Sequence, residues 1–138
     1  MQFDNWFIAQ FRDTLSERLA ESDGLTDAQI DTALGGSPIP NSVRAYFRVA
    51  GNHWLNTNYN DWLPLGAFET IDGHTIFMNE NQCVVRWAFR TDELDADDPI
   101  VYQAQPDSEP LVWSSEEMPF SRFIIAMWQW VLTGESPA

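Results

Sequence analysis

The stretch that most constrains the fold is residues 74–89, which predicts two β-strands folded back on each other. A polar triplet at 80–82 separates two runs rich in β-branched and aromatic residues, a pattern typical of a hairpin with a short loop. Alternate residues of the second run share one face: Cys83, Val85, Trp87 and Phe89. We therefore expect this hairpin to lie at the centre of a sheet, with Cys83 buried and Arg86, on the other face, near water.

Three short helices are predicted before any strand, and one more at the end of the chain. In the first, from 4 to 21, large apolar residues recur every four positions. Thr26 followed by Gln29 fits a capping box that begins the second helix, and residues 41–42 offer the cap of a third. Apolar side chains at helical spacing predict the last helix over about 119–132.

The remaining segments predict loops and short strands. Residues 52–59 are polar and rich in Asn, which indicates a loop. Residues 62–70 are extended in character but contain Pro64, which favours an edge or irregular strand. Further strands are predicted at 100–104 and 111–113.

This order of elements predicts an α+β fold in a single domain over residues 1–138. The N-terminal part consists of short helices, the centre is a mixed or antiparallel sheet around the hairpin at 74–89, and the C-terminal helix packs on that sheet. A chain of this length can bury a sizeable core without a disulfide or a metal. The single cysteine, Cys83, permits no intrachain disulfide and favours a reducing compartment.

Charge is the strongest global feature of the sequence. Seven arginines and no lysines face 21 acidic residues, which gives a formal net charge of −14. Such a charge repels phosphate backbones and anionic lipids, so it disfavours binding to nucleic acid or to a membrane. It favours either a basic protein partner or simply the solubility of an aromatic-rich domain, and both interpretations remain open. No basic leader precedes an apolar run, and no apolar run reaches membrane-spanning length, so we expect a cytoplasmic protein.

Two groups of residues are candidates for binding a protein partner. The first is aromatic, in or beside the Asn-rich loop, and comprises Trp54, Tyr59 and Trp62. The second is an acidic loop that comprises Asp92, Glu93, Asp95, Asp97 and Asp98. Aromatic residues ringed by polar ones can be binding hot spots, whereas loops also fold back to cover a core. The acidic run can equally be a solvated loop.

No catalytic residue, metal ligand or cofactor site is predicted. His53 and His74 have no metal-ligand spacing with Cys83, and no phosphate-binding glycine loop or nucleophile elbow is present. Glu80, in the hairpin loop, could be a contact residue or a general base. We favour a structural role in which its side chain binds backbone groups of the turn.

Several short motifs follow one another along the chain: Ile39-Pro40 with Tyr46-Phe47 and Gly51-Asn52, Phe77 with Glu80-Asn81-Gln82 and Trp87, Asp98-Pro99-Ile100-Val101, and Trp113 with Phe120 and Phe123. In this order they resemble the motifs of the SUKH superfamily, over roughly residues 30–132. Ile39 replaces the common Leu, and Cys83 stands where the family usually has Gly after the Gln. Because Cys disfavours a positive φ, the resemblance leads us to expect a different hairpin turn here.

The resemblance implies a non-catalytic α+β domain, and in bacteria an immunity protein that binds and neutralises a cognate toxin. Many of those toxins are nucleases or nucleic-acid deaminases, while fungal relatives regulate cell-wall synthesis. Our leading hypothesis is therefore an intracellular immunity protein for a basic toxin. The alternatives are a regulatory adaptor in a cellular pathway and, third, a small hydrolase or metal-dependent enzyme. The sequence leaves the oligomeric state and the binding surface open.

Overall fold

The computed structural model describes residues 2–15, 19–58, 60–108 and 110–134. The elements found there are α1 (Phe3–Leu15), α2 (Asp27–Leu34), α3 (Asn41–Ala50), α4 (Leu55–Asn58), β1 (Asp61–Trp62), β2 (Glu69–Ile71), β3 (His74–Asn79), β4 (Arg86–Arg90), β5 (Ile100–Ala104), β6 (Ser114–Pro119) and α5 (Phe120–Thr133). Short 3₁₀ turns at Glu21–Asp23 and Thr91–Glu93 complete the set. This arrangement confirms the predicted α+β class, with helices at both ends of the described chain and a sheet between them.

The sheet is antiparallel at every described pairing, with the strand order β1-β3-β4-β5-β6. The predicted hairpin forms β3 and β4 in its interior. Strand β2 shares the outer edge of β3 with β1: Trp62 pairs with Met78, and Glu69 pairs with Ile76. Pro64 lies between these two short strands, so the prediction of an edge or irregular strand there is confirmed.

A bulge in β3 determines which side chains reach the main core. The β3–β4 register shifts between Ile76 and Met78, and both Phe77 and Met78 lie in the main core with Trp87. Ile76 pairs with Ala88 on the other face, where both are fully buried. A bulge adds one residue to a strand and so lets two neighbours point to the same face. The hairpin therefore carries buried side chains on both faces of the sheet.

Tyr46, on α3, is the centre of the main core and has no exposed surface. Its ring centroid lies 5.5–6.4 Å from those of the surrounding aromatic residues: Phe7, Phe11, Phe47, Trp62, Phe120 and Trp128. The hydroxyl donates to Asn56 Oδ1 and accepts from Trp128 Nε1 at 3.1 Å. Burial raises the pKa of Tyr46, so the hydroxyl remains a donor. Tyr46 thereby connects α1, α3, α5 and the sheet.

Several predicted boundaries are corrected by the structure. The Thr26–Gln29 capping box is present, but α3 begins at Asn41 with Pro40 as its cap and no side-chain cap. The first predicted helix was too long, because Glu21–Asp23 is a separate 3₁₀ turn; residues 16–18 lie outside the described part. The Asn-rich loop contains the short helix α4.

The last predicted strand was placed too early in the chain. Its residues 111–113 lie outside the sheet, and the strand is β6, at Ser114–Pro119. Strand β6 is a polar edge strand, so its sequence has little of the β-branched and aromatic character on which the prediction relied.

Substituting Tyr46→Phe should lower the free energy of unfolding by about 1–3 kcal/mol, because it leaves Trp128 Nε1 and Asn56 Oδ1 without their buried partner. Urea denaturation followed by tryptophan fluorescence measures this loss. The half-exposed Tyr102 provides the matched control, since Tyr102→Phe should change stability by less than about 0.5 kcal/mol. Equal effects of the two substitutions would contradict the role assigned to Tyr46.

Candidate protein-binding surface

The aromatic residues of the Asn-rich segment do not form one surface. Trp54 is 55% exposed, and its ring lies beside His53, whose ring centroid is 4.7 Å from that of Trp128. Trp62 is half-buried and packs against the main core, with its ring centroid 5.7 Å from that of Tyr46. These contacts favour the interpretation that this part of the loop covers the core. Tyr59 lies outside the described residues.

The acidic run from 92 to 98 divides into structural and exposed members. Asp98 accepts hydrogen bonds from Ser121 N at 3.0 Å and Ser121 Oγ at 2.6 Å, so it satisfies the first turn of α5. Asp97 Oδ1 accepts from the Asn41 side chain, and its carbonyl accepts from Ser42 N at 2.8 Å. The end of the segment is therefore fixed to the N-termini of α3 and α5.

The beginning of the same segment is fixed to strand β4. Arg90 forms ion pairs with Asp92 at 2.9 Å and Glu93 at 3.8 Å, while Asp95 is exposed. One arginine cannot neutralise three carboxylates. The segment consequently presents an excess of negative charge from a backbone that is held at both ends.

The hairpin loop is built around the buried carboxylate of Glu80. Its Oε1 accepts from Gln82 N and its Oε2 from Val84 N, each at 3.1 Å. The Glu80 carbonyl accepts from Cys83 N at 2.8 Å. Both carboxylate oxygens are thus bound to the backbone of the turn, which supports the structural role favoured from the sequence.

Cys83 lies in this loop, and the expectation that it is buried was wrong. It is exposed rather than buried, because the loop extends through it and β4 begins only at Arg86. Its φ is +59°, so Cys83 adopts a left-handed conformation that favours Gly, despite its Cβ. The hydrogen bonds that Glu80 accepts from the backbone N–H groups of Gln82, Cys83 and Val84 hold this conformation. The expected difference from the hairpin turn of the SUKH superfamily stays a prediction.

The helices that the structure describes contribute to the main core, on one face of the sheet. The opposite face, which we call the outer face, carries a smaller cluster: Leu63, Ile76 and Ala88, with Phe68, Ile71 and Trp113 packed against it. No residue of a described helix belongs to that cluster. Beside it, the His74 ring stacks on Trp113 with centroids 4.5 Å apart and meets the edge of Tyr102 at 5.4 Å.

One end of the sheet joins this outer face to the acidic segment. The β2–β3 turn contacts the segment after β4 through a hydrogen bond from Thr91 N to Gly73 O at 2.8 Å. We call this region the acidic end of the sheet and define it by its carboxylates: Asp72, Asp92, Glu93, Asp95 and Asp97. An open groove of about 620 Å³ lies there, and its lining includes Asp72, His74, Arg90, Asp92 and Tyr102.

Sequence reasoning found part of this region and missed the rest. It singled out the acidic run, of which four members belong to the acidic end, but it assigned no partner-binding role to Asp72, His74 or Tyr102. The signal for Asp72 was its place in an Asp-Gly turn next to the central hairpin. Trp54 lies elsewhere: its ring is next to that of His53, which in turn packs against Trp128 of α5.

Most of the described arginines are already paired within the protein. Arg44 and Arg48 bind Asp27, Asp31 and Asp4, which joins α1, α2 and α3. The hydrogen bond from Arg48, with help from Arg44, lowers the pKa of Asp27. Arg86 pairs with Glu69 and Arg90 with the acidic segment.

The acidic end, by contrast, retains carboxylates without a cation. Asp72 and Asp95 form no ion pair with any residue that the structure describes. Carboxylates therefore outnumber arginines at the acidic end, and the electrostatic potential there is negative.

Neither family models, nor curated proteins, nor solved structures give a significant match to this chain. The resemblance to the SUKH superfamily accordingly stays a prediction. Among the described residues, no group of three His, Cys, Asp or Glu side chains could hold a metal ion. No helix in the same ranges is long and apolar enough to cross a bilayer.

Asp98→Ala should lower the free energy of unfolding by about 0.5–2 kcal/mol, because Ser121 N loses the acceptor that satisfies the start of α5. The matched control Asp95→Ala removes the same charge at an exposed position and should change stability by less than about 0.5 kcal/mol. Chemical denaturation measures both values. Asp98 has no structural role if the two variants are equally stable.

Cys83→Gly should raise the free energy of unfolding by about 0.5–1 kcal/mol. The left-handed conformation costs an L-residue roughly 1–2 kcal/mol, and glycine avoids this cost. Glycine also has a greater conformational entropy in the unfolded state, which offsets part of the gain. Cys83→Ser keeps the Cβ and should leave stability unchanged within about 0.5 kcal/mol. Thermal denaturation of the two variants under reducing conditions gives the comparison, and a destabilised glycine variant would argue against strain at Cys83.

Proposed function

We propose that this protein is a non-enzymatic, cytoplasmic immunity protein that binds a basic toxin and neutralises it by direct contact. The observation that carries the proposal is the acidic end of the sheet, where carboxylates of a fixed backbone adjoin a sheet face that no described helix covers. Support comes from three features of the chain: its charge, the rigidity of the acidic segment and the family resemblance.

The charge supports a basic partner through the rate of association. A net charge of −14 attracts a basic protein over distances of about one Debye length, roughly 8–10 Å in physiological salt. Electrostatic steering of this kind raises association rates by about 10- to 1,000-fold. A toxin must be neutralised as soon as it appears, so a fast association rate suits an inhibitor.

The rigidity of the acidic segment supports tight binding. Hydrogen bonds fix Asp97 and Asp98 to α3 and α5, and Arg90 holds Asp92 at the other end. Side chains on a segment that is already ordered lose less entropy when a partner binds. The exposed carboxylates can therefore meet a basic surface at a low conformational cost.

The resemblance to the SUKH superfamily supports the toxin as the class of partner. Its motif residues have framework roles here, since Tyr46, Phe77 and Phe120 lie in the core and Glu80 shapes the hairpin loop. Because these motif residues maintain the fold, the residues on the protein surface can differ between proteins that bind different partners. A nuclease or deaminase toxin fits the acidic end best, because a surface that binds a phosphate backbone is basic.

Co-expression with the protein encoded by the adjacent gene tests this proposal. We expect a complex on affinity pull-down and rescue of growth from that protein's toxicity. In stopped-flow measurements, the association rate should fall at least about tenfold between low and physiological salt. Failure to form a complex and to rescue growth would refute the proposal.

A charge-matched pair of variants locates the binding surface. Asp92→Asn with Glu93→Gln and Asp95→Asn removes three carboxylates from the acidic end. Asp13→Asn with Glu21→Gln and Asp107→Asn removes three exposed carboxylates elsewhere. We expect the first triple variant to associate at least about fivefold more slowly than the second. Equal rates would mean that only the overall charge matters.

A further inference from the structure

The groove at the acidic end has a wall of fixed aromatic rings. His74 lies with its ring 4.5 Å from the Trp113 ring at an interplanar angle of 14°, and its Nδ1 is 3.0 Å from the Asp72 carbonyl oxygen. Tyr102, on β5, lines the same groove, and the edge of its ring meets the His74 ring. Planar guanidinium groups stack favourably on aromatic surfaces of this kind.

The rim of the groove carries carboxylates, one of which forms no ion pair with a described residue. Arg90 also lines the groove, and its charge is taken up by ion pairs with Asp92 and Glu93. Asp72 has no ion-pair partner among the described residues, so its carboxylate is the one left for a ligand. Asp72 and Gly73 both have positive φ, +51° and +75°, which is the backbone of a type I′ hairpin turn. That turn is held in place by the bond from Thr91 N to Gly73 O. The carboxylate of Asp72 therefore extends from a fixed backbone beside the aromatic wall.

The groove itself is open to solvent, so a protruding side chain can enter it. Its volume of about 620 Å³ lies within the usual range for ligand sites, and no described helix covers it. Arginine is the side chain that matches both walls, because its fork binds a carboxylate in bidentate fashion while its plane stacks on aromatic rings. Lysine offers a point charge and no plane.

We propose that this groove binds an arginine side chain of the basic partner, with the guanidinium on the Asp72 carboxylate and against the His74–Tyr102 wall. The inference rests on the proposed function, since it names the anchor by which a basic partner is held at the acidic end. In the complex, the arginine of the partner takes the place beside Asp72 that no cation of this chain fills among the described residues.

A peptide titration tests the site without any cognate partner. The probe is an acetylated and amidated Gly-Ser-Arg-Ser-Gly peptide, added to the ¹⁵N-labelled full chain and followed by ¹H–¹⁵N NMR spectra. We expect saturable shifts at the amides of Gly73, Thr91, Asp92 and Tyr102, with a Kd of roughly millimolar for so small a contact. A peptide with citrulline in place of arginine should cause no saturable shift.

Two matched variants make the result specific. Asp72→Asn should weaken peptide binding at least about fivefold, and the turn should persist because Asn-Gly suits a type I′ turn. Asp107→Asn, which removes an exposed carboxylate elsewhere, should leave binding unchanged. The proposal is overturned if citrulline binds equally well, if lysine binds as tightly as arginine, or if the two variants behave alike.

The outcomes separate this inference from the proposed function. A complex with the neighbouring gene's product that is insensitive to Asp72→Asn would overturn the arginine site and leave the immunity role standing. Peptide binding at the groove without any such complex would sustain the site and refute the role as a toxin inhibitor.

Discussion

The contacts of Tyr46 are the constraint on which the rest of the structure depends. Its ring lies among aromatic residues from α1, α5 and β1, and its hydroxyl connects Asn56 with Trp128. One side chain thereby fixes where three helices meet the sheet. Because all of this packing takes place on one face, the other face is left with a small apolar cluster and no described helix above it.

The binding surface that we propose follows from that one-sided packing. A sheet face that no described helix covers leaves strand side chains such as His74 and Tyr102 partly exposed, and its end exposes the turns that connect the strands. Here those turns are acidic, and the structure fixes them through Thr91, Arg90 and Asp98. The core decides which face is free, and the turn residues decide its charge.

Sequence alone predicted the elements whose signals are local. The hairpin, the capping box at Thr26 and the C-terminal helix all follow from periodicity or from a pair of neighbouring residues, and each is confirmed. Strand β6 was misplaced because a polar edge strand has no such periodicity. Cys83 was judged by the alternation of a strand, whereas the loop around Glu80 continues through it.

The sequence predicted only part of the proposed binding surface, because the residues of this surface come from different segments of the chain. The acidic run could be read directly, but Asp98 proved to be the residue that satisfies the start of α5. Asp72, His74 and Tyr102 look like ordinary turn and strand residues. Only the register of β2 to β5 places them in one groove.

Hydrogen–deuterium exchange of the complex with its protein partner tests the central claim most directly. We predict that binding slows exchange in the peptides that cover the Asp72–Gly73 turn and residues 90–98, and that it leaves the Trp54 region unchanged. Protection confined to Trp54 and the C-terminal half of α5, with the acidic end unaffected, would contradict the account.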